Sequence, residues 1–338
     1  MAGCVDANVR IDSPRVLLIW LARLALTIAL VILIATRLDF ELFTQEIIAP
    51  QWLPLIGMAL AGVGFIFLGG VKLWLLVRGL TPVRLGLFLL YFFLGGAIGS
   101  LAPALFGDVS IVALARRDGV PLRHMISTIL VDRAITLSVI VWLFLPGALG
   151  LIWREFAWMF WALSGLSILG LGVGVWWFAQ RAFAWQRFPR LAQFAQVFGE
   201  FARQQPRPVL ANLLLTVARG ILSGVSLQLV LLAVMPTSSE WFTTICLANS
   251  LSILNLLPIT LGGAGIYEGG GMVLFEIAGL PREQVFAALV YQRLYILASS
   301  VLIIAVAFGL LAYVKRIGWT LIEPAPGEMS NGENTHVR

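Results

Sequence analysis

Apolar runs of about 20 residues alternate with short polar stretches along the whole chain. Spanning helices are predicted at 16–35, 52–71, 124–145, 156–179, 208–234 and 284–313, each near the roughly 20 residues needed to cross a hydrocarbon core of about 30 Å. Two further apolar regions, 86–115 and 241–280, are broken by glycine and proline. The first contains "LGGAIGSLAPALFGD" and the second "NLLPITLGGAGIYEGGG". A lipid-facing helix cannot leave so many backbone groups unpaired, so such segments are buried in protein or line a wet cavity. They read as re-entrant hairpins. The expected fold is therefore an all-α polytopic membrane protein of six spanning helices and two hairpins, in one membrane domain over 16–313.

Loop charges orient this arrangement. Residues 36–51 set Arg37 against Asp39, Glu41 and Glu46, whereas 72–84 carry Lys72, Arg78 and Arg84 with no acid. By the positive-inside rule the first loop lies outside and the second in the cytoplasm. Residues 180–207 hold Arg181, Arg187, Arg190, Arg203 and Arg207 against Glu200, which also reads as cytoplasmic. That segment stays inside only if 86–115 returns to the side it left, and Lys315 and Arg316 stay inside only if 241–280 does the same. Both termini, 1–15 and 314–338, are then expected in the cytoplasm, with the inner membrane as the location. The tail "EPAPGEMSNGENTHVR" is polar and reads as disordered. Within 180–207, Leu191, Phe194, Phe198 and Phe201 recur at helical spacing after Pro189, as in an amphipathic helix lying in the interface.

Composition agrees. Of 338 residues, 60% are apolar and 12% charged, and mean hydropathy is +0.94, outside the usage of soluble domains. The net charge of +6 is spread between membrane segments instead of gathered on a soluble face, so it reports orientation and not nucleic-acid binding. Cys4 and Cys246 are too few for a disulfide framework. With only His124 and His336, a zinc or histidine-based catalytic centre is not expected, nor is any cofactor. The N-terminal apolar run exceeds the roughly 7 to 15 residues of a signal-peptide core and has no small-x-small cleavage site after it, so it reads as a retained helix.

An internal repeat emerges on alignment. "GVPLRHMISTILVDR" (119–133) matches "GLPREQVFAALVYQR" (279–293) without a gap at Gly119/Gly279, Pro121/Pro281 and Arg133/Arg293. Upstream, "SLAP" ending at Pro103 faces "NLLP" ending at Pro258 after five extra residues. Combined with the loop charges, the copies at about 16–145 and 156–313 have opposite orientation. Inverted repeats of this kind place discontinuous elements face to face near the bilayer midplane, where transport sites form.

Arg133 and Arg293 each fall nine residues into their predicted helices, or about 14 Å deep at 1.5 Å per residue. A cation at the bilayer centre costs about 2.5 to 3.5 kcal/mol on insertion scales, so it needs a partner or a role. One reading is internal pairing: Arg133 with Asp108 or Asp132, and Arg293 with Glu268 or Glu276. The other is that the two guanidiniums converge on an anionic group, their planar fork suiting phosphate oxygens. Arg219, in "LLLTVARGILSG", is a third candidate contact. Gly262, Gly263 and Gly265 would allow close backbone approach and present N–H donors. Asp108, Asp132 and Glu268 are candidate coupling or ion-pair acids.

At these residues the chain resembles the transmembrane domain of the lysylphosphatidylglycerol synthase family, through "GDVSIVALARRDGVP...VDR" in the first half and "P...GGAGIYEGG...GLP...YQR" in the second, over roughly 15–315. Members of that flippase-like family are linked to moving aminoacylated phospholipid, or polyprenyl-linked sugar, between leaflets. The resemblance carries to Asp108, Arg116, Asp132, Arg133, Gly262, Gly263, Gly265, Glu268 and Arg293. Fused members add a soluble aminoacyl transferase, whereas this chain ends about 25 residues after its last predicted helix, as a stand-alone member would. The expectation is a transporter of an anionic phospholipid or polyprenyl-linked glycan, with a membrane lipid as its ligand and a separately encoded lipid- or glycan-synthesis enzyme as a partner. The alternatives are an enzyme acting on lipid-linked phosphate or sugar, and a non-transporting subunit of an envelope-assembly complex.

Overall fold

The computed structural model describes residues 50–102, 104–152, 201, 203–235, 241–254, 263–316 and 321–322, with scattered positions at 25–41 and 155–166. Most of the predicted helices 16–35 and 156–179, the segment 181–200, and Pro103, Pro258 and Gly262 lie outside the described residues.

Among the described residues nine α-helical segments carry the fold. They are α1 (Trp52–Leu80), α2 (Leu85–Leu101), α3 (Ala104–Arg117), α4 (Leu122–Val139), α5 (Leu145–Ile152), α6 (Pro206–Val234), α7 (Trp241–Leu251), α8 (Ile266–Ile277) and α9 (Arg282–Arg316). A π-turn at Ile140–Phe144 joins α4 to α5. Pro146, just beyond it, has no N–H to give and would crowd the carbonyl four residues earlier, and the wider turn relieves both problems. Among the described residues, α1, the continuous α4–α5 rod, α6 and α9 are long and apolar enough to span a membrane.

The four rods run in two directions, α1 and α9 one way and α4–α5 and α6 the other. Gln51 at the start of α1 donates its backbone N–H to Ala233 near the end of α6 at 2.9 Å, while Gly79 near the end of α1 lies against Gln205 at the start of α6. At that second end the Thr81 hydroxyl meets His124 Nδ1 at 2.9 Å, which puts the start of α4 there. Tyr295 of α9 donates to the Ala59 carbonyl at 2.9 Å, and Leu311 packs with Val77 and Val83, so α9 runs parallel to α1. Arg78, Arg84, Arg116, Arg117, Arg123, Arg203, Arg207 and Arg316 gather at this one end.

The two broken regions each form a pair of helices. Between α2 and α3 the backbones nearly touch: a methyl group on Gly95 would sit 2.8 Å from the Gly107 carbonyl oxygen. Leu87 at the start of α2 and Ala115 at the end of α3 belong to one buried cluster with Val83 and Val120. The pair therefore leaves the basic end and returns to it. The α7–α8 pair departs from the opposite end, where α6 finishes and α9 begins.

The repeated Gly-x-Pro corners have a physical reason. Val120 N–H bonds Ala115 O at 3.1 Å and Gly119 N–H bonds Arg116 O at 3.0 Å; Leu280 N–H bonds Phe275 O at 3.0 Å and Gly279 N–H bonds Glu276 O at 2.9 Å. Each is a Schellman closure, which requires a left-handed residue, and Gly119 and Gly279 have φ of 93° and 89°. Proline two positions later then opens the next helix.

Two expectations need correction. Helix α1 runs on to Leu80, so Lys72 and Arg78 are helical, not loop residues, and Lys72 is 2% exposed. Its long aliphatic stem let the apolar rod continue past a charge. At the other terminus, α9 reaches Arg316 and the tail is anchored at its start. Leu321 is wholly buried, its carbonyl accepts the Arg84 N–H at 2.9 Å, and Ile322 forms an antiparallel bridge with Val83.

Candidate functional site

Among the described residues four ion pairs join helices, and three of them involve Asp132, Arg133 or Arg293. The most enclosed joins Lys72 of α1 to Asp132 of α4 at 2.9 Å, with side chains 3% and 13% exposed. Lys72 also donates to Thr136 at 2.8 Å and Thr216 at 3.3 Å, and Asp132 accepts from Asn212 of α6 at 2.8 Å. All three ammonium protons are used, and three rods are tied at one node.

The other two pairs are counterparts. Arg133 bonds both oxygens of Asp108 at 2.9 and 2.8 Å, and Arg293 bonds Glu268 Oε1 through Nε at 2.8 Å and through Nη2 at 2.7 Å. Acid and arginine are 25 residues apart in both cases. Their surroundings differ: Arg133 and Asp108 are 45% and 31% exposed, whereas Arg293 and Glu268 are 21% and 10% exposed. Glu268 also accepts the Gly265 N–H at 2.7 Å, so that backbone donor is committed to the acid and is not offered to a ligand. Gly265 caps α8 with φ of 84°, and Gly263 is also left-handed at 75°.

Arg219 lies 13 residues into the 29-residue α6, about 20 Å from its start at 1.5 Å per residue. Its Nε donates to the Phe65 carbonyl at 3.2 Å, and its guanidinium stacks 3.9 Å from the Phe65 ring centre. Gly69 leaves it room, since a methyl there would lie 3.1 Å from Nε. Among the described residues no carboxylate lies within 4 Å of it.

Arg219 and Arg293 line one interior cavity of about 300 Å³. Tyr267, Gln292 and several serines add polar groups, and Phe65, Phe92 and Ile296 supply apolar wall. Ser100 near the end of α2 and Ser252 just past α7 also line it, so the inner ends of both helix pairs meet there. The size suits a small polar headgroup.

The family model described as "Lysylphosphatidylglycerol synthase TM region" matches residues 20–307. The chain belongs to this family. No curated protein and no solved structure matches it. The matched region contains three of the rods and most of α9, both helix pairs and every lining residue of the cavity, and membership makes the chain a multi-pass membrane protein of lipid metabolism or transport.

Within this family region, the expected meeting of Arg133 with Arg293 gives way to a different pairing. Arg133 is not among the cavity's lining residues; it is held by Asp108, as Arg293 is by Glu268. Arg219 takes the place beside Arg293 and lies within Coulombic reach of Asp132 and Arg133. Asp132 pairs with Lys72 instead of Arg133, and Glu276 pairs with Arg282 at 2.5 Å. Arg116 lies in the last turn of α3, exposed. Lys72, Asn212, Tyr267 and Gln292 had no distinguishing pattern. The one available signal was that Gln292 and Tyr267 neighbour Arg293 and Glu268 in sequence.

Proposed function

We propose that the protein moves an anionic lipid, a phospholipid or a polyprenyl-linked glycan, between the leaflets of the inner membrane. The observation that carries this reading is the shared cavity of Arg219 and Arg293. Arg219 has no acid within 4 Å among the described residues, and Arg293 is bonded to Glu268. Among the described residues the cavity wall carries two guanidiniums and no carboxylate, and a cation within the membrane is costly unless an anion complements it. A phosphate would do so through charge-assisted bonds to two planar forks.

In this reading the basic end faces the cytoplasm, the α2–α3 pair is a re-entrant hairpin from that side, and the α7–α8 pair is one from the other. The two halves are then an inverted repeat whose hairpin ends meet at the headgroup site, and alternating access comes from rocking of one half against the other. The chain acts as a carrier and not an enzyme: Arg219 and Arg293 hold an anion, and neither is a proton shuttle at neutral pH.

The test is translocation of labelled anionic lipid in proteoliposomes. Arg219→Gln and Arg293→Gln should each reduce the rate at least tenfold while the protein elutes as the wild type does. Wild-type rates in both variants would overturn the reading.

A further inference from the structure

Arg293 borders two cavities. One is the chamber it shares with Arg219, whose mainly apolar wall carries the two guanidiniums, Gln292 and several hydroxyls. Arg293 also lines, with Glu268, a lateral cavity of about 220 Å³ whose other walls are Ala264, Gly265, Phe286, Val290 and Leu294. Apart from that ion pair, its lining side chains are hydrocarbon. Leu294 is 56% exposed, and Leu297 and Val301 continue the same face of α9 at spacings of three and four residues, 37% and 60% exposed. An apolar stripe therefore runs from the lateral cavity along the outside of a spanning helix, where a bilayer supplies its cover.

A chamber holding two guanidiniums and an apolar recess thus share Arg293 as a common wall. An amphiphile joins its phosphate to its hydrocarbon over a short distance. The Arg293–Glu268 pair is also built to yield: when an anion draws Arg293 away, Glu268 keeps the Gly265 N–H as a partner and is not left as an unbonded buried acid.

We propose that the lateral cavity receives the first part of a hydrocarbon chain of the lipid whose phosphate meets Arg219 and Arg293. This rests on the anion-site reading and adds that the ligand is an amphiphile held at both ends, not a free phosphate ester. Val290 and Leu294 then set affinity for the chain, and the arginines set affinity for the headgroup.

The test compares two probes on the purified full-length protein: long-chain phosphatidylglycerol, counted by native mass spectrometry, and glycerol 3-phosphate, read by thermal protection. Val290→Trp and Leu294→Trp fill the recess, and the exposure of Leu294 makes the second variant compatible with folding. Both should lower phosphatidylglycerol occupancy at least tenfold and leave glycerol 3-phosphate protection within twofold, whereas Arg219→Gln should weaken both. If the tryptophan variants retain phosphatidylglycerol as the wild type does while Arg219→Gln loses it, the chain lies elsewhere and this proposal is wrong, with the anion site intact. If Arg219→Gln binds both probes normally, the anion-site reading fails and this proposal fails with it.

Discussion

Lys72→Met, Asp132→Asn and the double variant form a cycle on the most enclosed ion pair. At 2.9 Å and an effective dielectric of about 20, the attraction is about 6 kcal/mol. Removing Lys72 forfeits that attraction and one charge-assisted bond but returns the ammonium's own burial cost, a few kcal/mol. Asp132 keeps the side-chain amide of Asn212 as a donor, and the expected destabilisation is about 3 to 5 kcal/mol. Asp132→Asn leaves Lys72 with two hydroxyl acceptors and should cost a similar amount. The double variant leaves no uncompensated charge, so its cost should fall well below the sum of the singles, with a coupling of about 3 kcal/mol. Denaturant unfolding in lipid nanodiscs measures all four corners. Additive single costs would refute the pair as an energetic unit, and single costs below about 1 kcal/mol would mean that water reaches the node.

Other consequences follow from the same geometry. Gly279→Ala meets no atom within 4 Å, so its cost is the left-handed backbone alone, about 1 to 2 kcal/mol; unfolding of that single variant measures it, and no change would mean the corner relaxes. Leu321→Ala should loosen the strap, raising amide hydrogen exchange at residues 83–88 and 118–125 while exchange around Asp132 stays as it was. Arg133→Gln should leave phosphatidylglycerol binding within twofold of wild type, because Arg133 does not line the cavity; a loss as large as that of Arg219→Gln would place the first-half pair in the site.

The fold was legible where the pattern had a backbone cause. Gly119 and Gly279 stand out because a Schellman closure needs a left-handed residue, and Pro121 and Pro281 because a helix starts there. The interruption of 86–115 and 241–280 was legible because glycine and proline in an apolar run disrupt a single rod. What sequence could not give was side-chain direction. Arg133 and Arg293 are equivalent in register, yet one faces an exposed carboxylate and the other a cavity, since their neighbours come from segments distant in the chain. Lys72 read as a loop charge because hydropathy counts its ammonium and ignores its stem, and its partners, Asp132 and Asn212, lie 60 and 140 positions away. Arg219 was flagged by depth alone, and its role as the partner of Arg293 required the packing of α1, α6 and α9.

The central claim is that Arg219 and Arg293 together hold the phosphate of a membrane lipid. A structure of the protein in nanodiscs rich in phosphatidylglycerol tests this most directly. The account predicts density for one phosphate within hydrogen-bonding distance of both guanidiniums. A vacant cavity, with ordered lipid bound only on the outer faces of the rods, would contradict it.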